Sequence, residues 1–228
     1  MNKATALLFD SKASTWGDRY KTRLKTRIEL FSKLANKYIP EESSLLDLGC
    51  GSGVITRELS KLGHNIIGID CSKSMIEEAN KQNIPNSTFI QGNFENSSFE
   101  AKFSGVICSS VFEYVVDPNQ FLHKISDSVK EGGIIIISIP NTRSLIRILE
   151  RTLKSVAWLL KYIPKLSSFI DYLNISSTRW SLKKMKQQLK NNKIEIIETH
   201  FENKTFGKIW PNQLSYTMLV LVCQKSKR

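Results

Sequence analysis

The sequence predicts an α/β fold: a seven-stranded, mostly parallel sheet with helices on both faces. Three observations predict it. Short apolar runs alternate with helical patterns through the first 140 residues. The stretch Leu45-Leu46-Asp47-Leu48-Gly49-Cys50-Gly51-Ser52-Gly53 reads as a strand running into three glycines at alternate positions, with a helical pattern from Val54. A second short strand, Asn65-Ile66-Ile67-Gly68-Ile69-Asp70, ends in an acid. Strand, tight glycine turn and helix form the Rossmann-like unit that lets a backbone approach a nucleotide closely.

The glycine spacing narrows the ligand. A dinucleotide site wants G-x-G-x-x-G, but Val54 stands where the third glycine should be, and the pattern is Asp47-x-Gly49-x-Gly51-x-Gly53. Glycine permits φ > 0, and a side chain at Gly49 or Gly51 is expected to intrude on a ligand's ribose or carboxylate. Asp70 falls near the distance at which such a fold sets a carboxylate against ribose hydroxyls, which it can accept in bidentate fashion.

With these pieces in place, the chain resembles the class I S-adenosylmethionine-dependent methyltransferases. The resemblance runs through Asp47–Gly53, Gly68-Ile69-Asp70 with Ser72 and Met75, Gly92-Asn93-Phe94-Glu95, Val106–Ser110, and Gly132-Gly133 before an apolar strand. It covers 13–141 well and the remainder in outline, and is strongest to the small-molecule methyltransferases of the ubiquinone-biosynthesis type. It implies S-adenosyl-L-methionine as cofactor, held by Asp47, Gly49, Cys50, Gly51, Asp70, Cys71, Met75, Asn93, Phe94 and Ser109, with Met75 beside the adenine. The family usually has an acid at the position of Asn93, whose carbonyl can still accept a hydrogen bond. The implied organisation is one domain over 1–228, its sheet closed by an antiparallel last strand: cap helices in 1–40, a cofactor-binding core in 41–141, a helical lid insertion in 142–180, and a C-terminal helix with edge strands in 181–228.

In chain order, Phe9 to Pro40 is expected to be helical in two pieces, with Leu24, Ile28, Phe31, Leu34, Ala35 and Tyr38 at helical spacing and Pro40 as the stop. By resemblance this segment caps the crevice and brings Trp16 and Tyr20 near it. Strands are expected at 44–48, 65–69, 87–91, 103–109 and 134–139, and helices at 54–62 and from Cys71 to Ala79, with Ser72 or Ser74 as N-cap. Asp117-Pro118 supplies an N-cap and first residue for a helix to Val129, and Glu131-Gly132-Gly133 reads as a turn. Ile134–Ile139 is the apolar run of a strand buried on both faces. Ser167 to Trp180 is loop-like. Ser181 caps a helix to Leu189, and 193–201 and 216–224 are the last two strands.

Composition sets outer limits. Lysine and arginine total 33 against 21 acids, a net charge of +12 that favours an anionic partner such as nucleic acid, anionic lipid or a phosphorylated or carboxylated substrate. Ordinary surface lysines account for that charge equally well. The four cysteines, Cys50, Cys71, Cys108 and Cys223, form no C-x-x-C pair and suggest reduced thiols. Met1–Thr5 lacks the apolar core of a signal peptide, and no run reaches the roughly 18 apolar residues of a membrane span, so a cytoplasmic location is expected.

Arg143, Arg147, Arg151, Lys154, Trp158, Lys161 and Lys165 recur in steps of three or four. That makes one basic stripe on a helix with leucines opposite. Two readings stand: a lid touching an anionic membrane surface, which would make the protein peripheral to the membrane, or a lid whose basic face meets only water.

For chemistry, Glu113, at the mouth after the fourth strand, is the first candidate base, with His200 next and His123 behind them. The Asn/Asp-Pro-Pro-Tyr/Phe motif of enzymes that methylate nucleic-acid amino groups is absent, so nucleic acid is not the expected acceptor. The expected reaction is methyl transfer to a small or lipid-like molecule, at oxygen. An RNA-directed enzyme and a non-catalytic cofactor-binding scaffold are the alternatives.

Overall fold

The computed structural model describes residues 3–13, 25–155, 176, 178–204 and 212–227. Trp16, Tyr20, Trp158, Lys161, Lys165 and most of the 167–180 loop lie outside them.

Seven strands form one sheet: β1 (Ser44–Leu48), β2 (Asn65–Asp70), β3 (Ser87–Gln91), β4 (Phe103–Cys108), β5 (Val129–Pro140), β6 (Ile194–Lys204) and β7 (Tyr216–Lys225). Their order is β3-β2-β1-β4-β5-β7-β6. The first five run parallel, and β7 inserts antiparallel between β5 and β6. Strand order reverses beside β1, because β1 pairs with β2 on one side and β4 on the other. In an open α/β sheet the crevice outside the carboxyl ends at that switch point is where ligands bind.

The helices are α1 (Lys3–Asp10), α2 (Lys25–Tyr38), α3 (Val54–Ser60), α4 (Lys73–Lys81), α5 (Pro118–Ser128), α6 (Leu145–Ser155), α7 (Leu182–Asn191) and the single turn α8 (Asn212–Ser215). Period-two alternation sorts the strand side chains into two cores. Leu45, Ile107, Ile134 and Ile136 join Phe31, Leu34, Ile55 and Leu59 from α2 and α3. Leu46, Leu48, Val106, Ile135 and Ile137 join Phe121, Leu122, Ile125, Met185 and Leu189 from α5 and α7 on the other face. The run Ile134–Ile139, apolar but for Ser138, is buried throughout, as a strand covered on both faces requires.

Local chemistry sets the helix starts. Ser72 Oγ accepts from Met75 N–H at 3.1 Å and is the cap of α4; Ser74 is not. Asp117 accepts from Asn119 and Gln120 N–H at 3.0 and 3.1 Å, with Pro118 following. Ser181 caps α7 through Lys184 N–H. The expected turn at Glu131-Gly132-Gly133 is instead a bulge within β5, where the register against β4 shifts and Gly132 takes φ 75°.

The lid helix departs from its expected orientation. Arg147 of the basic stripe points inward at 8% exposure, whereas Leu149 from the apolar side is 57% exposed. Buried acids reverse the expected faces: Arg147 Nη1 lies 2.9 Å from Glu150 Oε2 and its Nη2 3.5 Å from Glu113 Oε2. Sequence periodicity registers the stripe but not the acids it meets.

Candidate active site

The loops following β1, β2, β3 and β4 line a narrow crevice that opens to solvent. Its walls are largely apolar, from Leu48, Ile69, Phe94, Val111 and Phe121, with Asp70, Cys71, Asn93 and Glu95 as the polar groups. Such a slot, apolar with a few convergent polar atoms, is the usual form of a small-molecule site.

Asp70 anchors it. Gly51 N–H donates to its Oδ2 and Ser72 N–H to its Oδ1, both at 2.9 Å. The carboxylate therefore pins the glycine turn to the end of β2. Burial pushes its carboxyl above the ordinary aspartate value, against the lowering effect of those two backbone bonds.

Gly49, Asp70, Cys71, Asn93 and Phe94 are brought together on the crevice wall, five of the cofactor residues expected from sequence. Asn93 caps the turn Phe94–Asn96, with Oδ1 accepting from Glu95 N–H at 3.2 Å. Phe94 is fixed edge-on to Phe121 at 5.4 Å between centroids. Cys71 is half-buried, and burial raises its thiol to about 12, so it lines the wall as a neutral group.

Other expected contacts sit elsewhere. Asp47 is 1% exposed and accepts from Thr56 Oγ1 at 2.6 Å, joining β1 to α3 beneath the turn instead of facing the crevice. Burial lifts its carboxyl to about 7 against the Thr56 bond, with the Asp70 charge adding to the rise. The Cys50 sulfur packs toward Gly68, 3.0 Å from where a Cβ there would stand. Met75 is fully buried in the core and is absent from the crevice lining. Gly49 is glycine for a different reason than expected: its φ is +67°, and an added Cβ would lie 2.2 Å from Val111 Cγ2, a protein atom and not ligand space. Gly51 takes φ 54° and donates to Asp70. Ser109, just past β4, has a buried Oγ with no hydrogen-bond partner among the described residues.

The candidate bases are corrected as well. Glu113 is 5% exposed and belongs to a buried network. Arg147 pairs with it at 3.5 Å, Arg147 also pairs with Glu150, and Arg179 Nη2 meets Glu150 at 3.1 Å. Its backbone carbonyl receives Thr178 N–H at 3.1 Å. This carboxylate ties α6 and residues 178–179 to the end of β4 and stands outside the crevice lining. His200 lies on edge strand β6 with Nε2 3.2 Å from Glu198 Oε1, outside the crevice lining. Glu198 is held at about 2 by hydrogen bonds from Tyr38 and Lys37. His123 sits exposed on α5, 3.0 Å from Asp127.

Several site-shaping residues escaped the sequence reading. Asp10 of α1 accepts from Ser72 Oγ at 2.6 Å and Ser74 N–H at 3.1 Å, bonds that lower its carboxyl below the ordinary value. Phe9 meets Tyr114 edge-on at 5.3 Å. Thus α1 bridges the segment after β2 and the segment after β4. Arg27 of α2 is 5% exposed and donates to Glu202 Oε2 from Nε at 3.1 Å and from Nη2 at 2.7 Å. Its Nη1 donates to Ser110 Oγ. No local motif announces Arg27 or Glu202, because 175 positions separate them in the chain.

The lining of the crevice has the chemistry an adenosine needs: apolar walls for a base, and a fixed carboxylate for sugar hydroxyls. The family profile described as "Methyltransferase domain" matches residues 46–137, the span from β1 to β5 that builds this crevice. Residues 46–137 are thus a domain of the class I S-adenosylmethionine-dependent methyltransferase type. The chain is 29% identical over 161 residues to a mitochondrial ubiquinone biosynthesis O-methyltransferase of Schizosaccharomyces pombe, covering 64% of this chain and 58% of that protein. A ubiquinone biosynthesis O-methyltransferase of Rickettsia conorii is 30% identical over 74% of this chain and 56% of its own length. The chain therefore spans a little over half the length of these curated relatives. Magnesium protoporphyrin IX methyltransferase from Synechocystis, solved with S-adenosylhomocysteine, superposes with TM-score 0.71 at 16% identity, covering 98% of this chain and 100% of that one. The chain thus shares its fold with a distant protein and its central sequence with nearer ones.

Proposed function

We propose that this chain transfers the methyl group of S-adenosylmethionine to an oxygen atom of a small or lipid-like molecule. The observation that carries the reading is Asp70: a carboxylate fixed by Gly51 and Ser72 N–H at the end of β2, lining an apolar crevice. Similarity to O-methyltransferases supports oxygen as the acceptor atom.

S-adenosylmethionine supplies a methyl group already activated by positive sulfur, which leaves the protein to position the reactants and exclude water. Asp70 would take the sugar hydroxyls, and Phe94, Ile69 and Val111 would flank the base, with Asn93 at its edge. Asp10 and Phe9 hold α1 across the same opening. Glu113 pairs with Arg147 outside the crevice lining, so a hydroxyl acceptor would give up its proton to another group or to water.

Titration calorimetry with S-adenosylhomocysteine tests this. The expected result is binding by the wild type, weakened roughly tenfold or more by Asp70→Asn, since one charged acceptor of sugar hydroxyls is lost. No binding by the wild type, or equal binding by the variant, would remove the reading. Labelled-methyl transfer to small phenols but not to bulk RNA separates it from an RNA-directed enzyme, and no transfer to any acceptor would favour a scaffold.

A membrane contact through α6 is favoured by one observation. Ile148 and Leu149 are exposed beside the exposed Arg143 and Arg151. An apolar pair flanked by arginines suits an anionic lipid interface. Leu149→Glu is expected to release the protein from anionic vesicles in co-sedimentation; unchanged sedimentation leaves a lid facing water.

A further inference from the structure

Glu202 is 3% exposed, yet only one of its two carboxylate oxygens is used. Oε2 takes both bonds from Arg27, while Oε1 is buried with no hydrogen-bond partner among the described residues. An unpaired buried acceptor costs about 1–3 kcal/mol, and folded proteins satisfy nearly all of them, so one that persists at a ligand-binding edge points to a donor supplied from outside the fold.

The placement gives the donor an identity. Glu202 pairs in register with Met218 of β7, and Met218 with Pro140 at the end of β5, so this carboxylate stands at the carboxyl end of the parallel strands. Arg27 carries the link onward to Ser110 Oγ, two residues beyond β4. Ser110 holds φ 58°, a costly conformation for a residue with a side chain, and its N–H donates to Ser138 Oγ at 2.7 Å. The next residue, Val111, lines the crevice. Beside it, Ser109 Oγ is a second buried polar atom without a partner among the described residues. The rim over β4, β5, β7 and β6 therefore carries two polar atoms unpaired among the described residues, beside the crevice formed after β1, β2, β3 and β4.

We propose that Glu202, held by Arg27, is the hydrogen-bond acceptor for a hydroxyl of the methyl acceptor. The inference rests on the proposed methyl transfer and adds to it: the acceptor is a hydroxyl-bearing molecule whose O–H meets Glu202 Oε1. Arg27 fixes the carboxylate's rotamer and offsets its charge, and no proton need leave to Glu202 for this orienting role. The same donor chemistry is found in the cofactor's own ammonium group, and the test separates the two sources.

The test uses NMR titration of the full chain saturated with S-adenosylhomocysteine, with phenol and anisole as probes of matching shape. Phenol carries the donor and anisole does not. The wild type is expected to bind phenol roughly tenfold or more tightly than anisole, the worth of a hydrogen bond to a charged acceptor. Glu202→Gln is expected to erase that preference while leaving S-adenosylhomocysteine affinity within about twofold. A merely structural role for Glu202 would weaken both probes alike. Absence of phenol binding, equal binding of the two probes by the wild type, or a preserved preference in Glu202→Gln overturns the proposal. So does a selective loss of S-adenosylhomocysteine affinity in the variant, which would give Glu202 to the cofactor. The wild-type comparison stands even where the variant fails to fold. Failure of the wild type to bind S-adenosylhomocysteine at all is a distinct result, and it sinks the methyltransferase reading itself.

Discussion

Gly49→Ala probes the turn on which the crevice is built. The added Cβ would sit 2.2 Å from Val111 Cγ2, more than 1 Å inside ordinary contact, on a residue with φ +67°. The left-handed backbone costs a non-glycine residue about 1–2 kcal/mol. Overpacking adds about 1–3 kcal/mol. Together they amount to roughly 2–5 kcal/mol, and at about 2–4 °C per kcal/mol for a domain of this size the melting temperature falls by roughly 4–20 °C. Val111 also lines the crevice, so pushing it aside narrows the ligand slot and weakens S-adenosylhomocysteine binding. Val111→Ala in the same chain separates the two costs. It removes the collision but leaves the backbone strain, so the double variant recovers the overpacking part, a coupling of about 1–3 kcal/mol, and regains ligand affinity. Urea denaturation of the four proteins of the cycle measures this. A single variant as stable as the wild type, or strictly additive losses, would refute the steric account of Gly49.

Three further outcomes follow from the geometry. Burial holds the Asp47 carboxyl at about 7, above its unfolded value. The folded state thus binds more protons than the unfolded one between about pH 4 and 7. Its contribution is full below about pH 4 and is lost as pH rises to about 7, up to roughly 4 kcal/mol at 1.36 kcal/mol per unit. Asp47→Asn, which can still accept from Thr56, is expected to remove that part of the slope in urea midpoints measured against pH; a parallel pair of profiles would contradict it. Arg147→Met leaves Glu113 and Glu150 buried without their shared cation and is expected to cost about 3–5 kcal/mol, whereas Leu149→Glu on the exposed side changes stability by less than about 1 kcal/mol. Equal thermal shifts in the two variants would argue against the inward Arg147. Asp10→Ala removes the acceptor of Ser72 Oγ and Ser74 N–H, so amides of 3–10 are expected to exchange hydrogen faster while those of β1 and β4 do not; unaltered exchange in α1 would show that Phe9 alone holds it.

Local patterns in the chain determined a great deal. The fold class, the glycine turn, the acid closing β2, the caps at Asp117 and Ser181, and the doubly buried run Ile134–Ile139 depend on neighbours a few residues apart or on period-two and period-3.6 spacing. Such features repeat wherever the local rule is met, so they are legible without coordinates. Asp70 belongs with them, since its partners Gly51 and Ser72 flank the two signatures that announce it.

The tertiary structure alone decided which of these residues face the crevice and which charges face each other. Spacing could not show that Asp47 turns toward Thr56, that Met75 sinks into the core, or that Val111 fills the space above Gly49. Nor could a helical stripe of arginines disclose that Arg147 meets Glu113 and Glu150 indoors, or that Arg27 reaches Glu202 and Ser110 from the far end of the chain. The physical reason is common to all of them. A side chain's local preference is worth tenths of a kcal/mol, whereas burying a charge without its partner costs several, so packing between distant segments settles where charged groups end up.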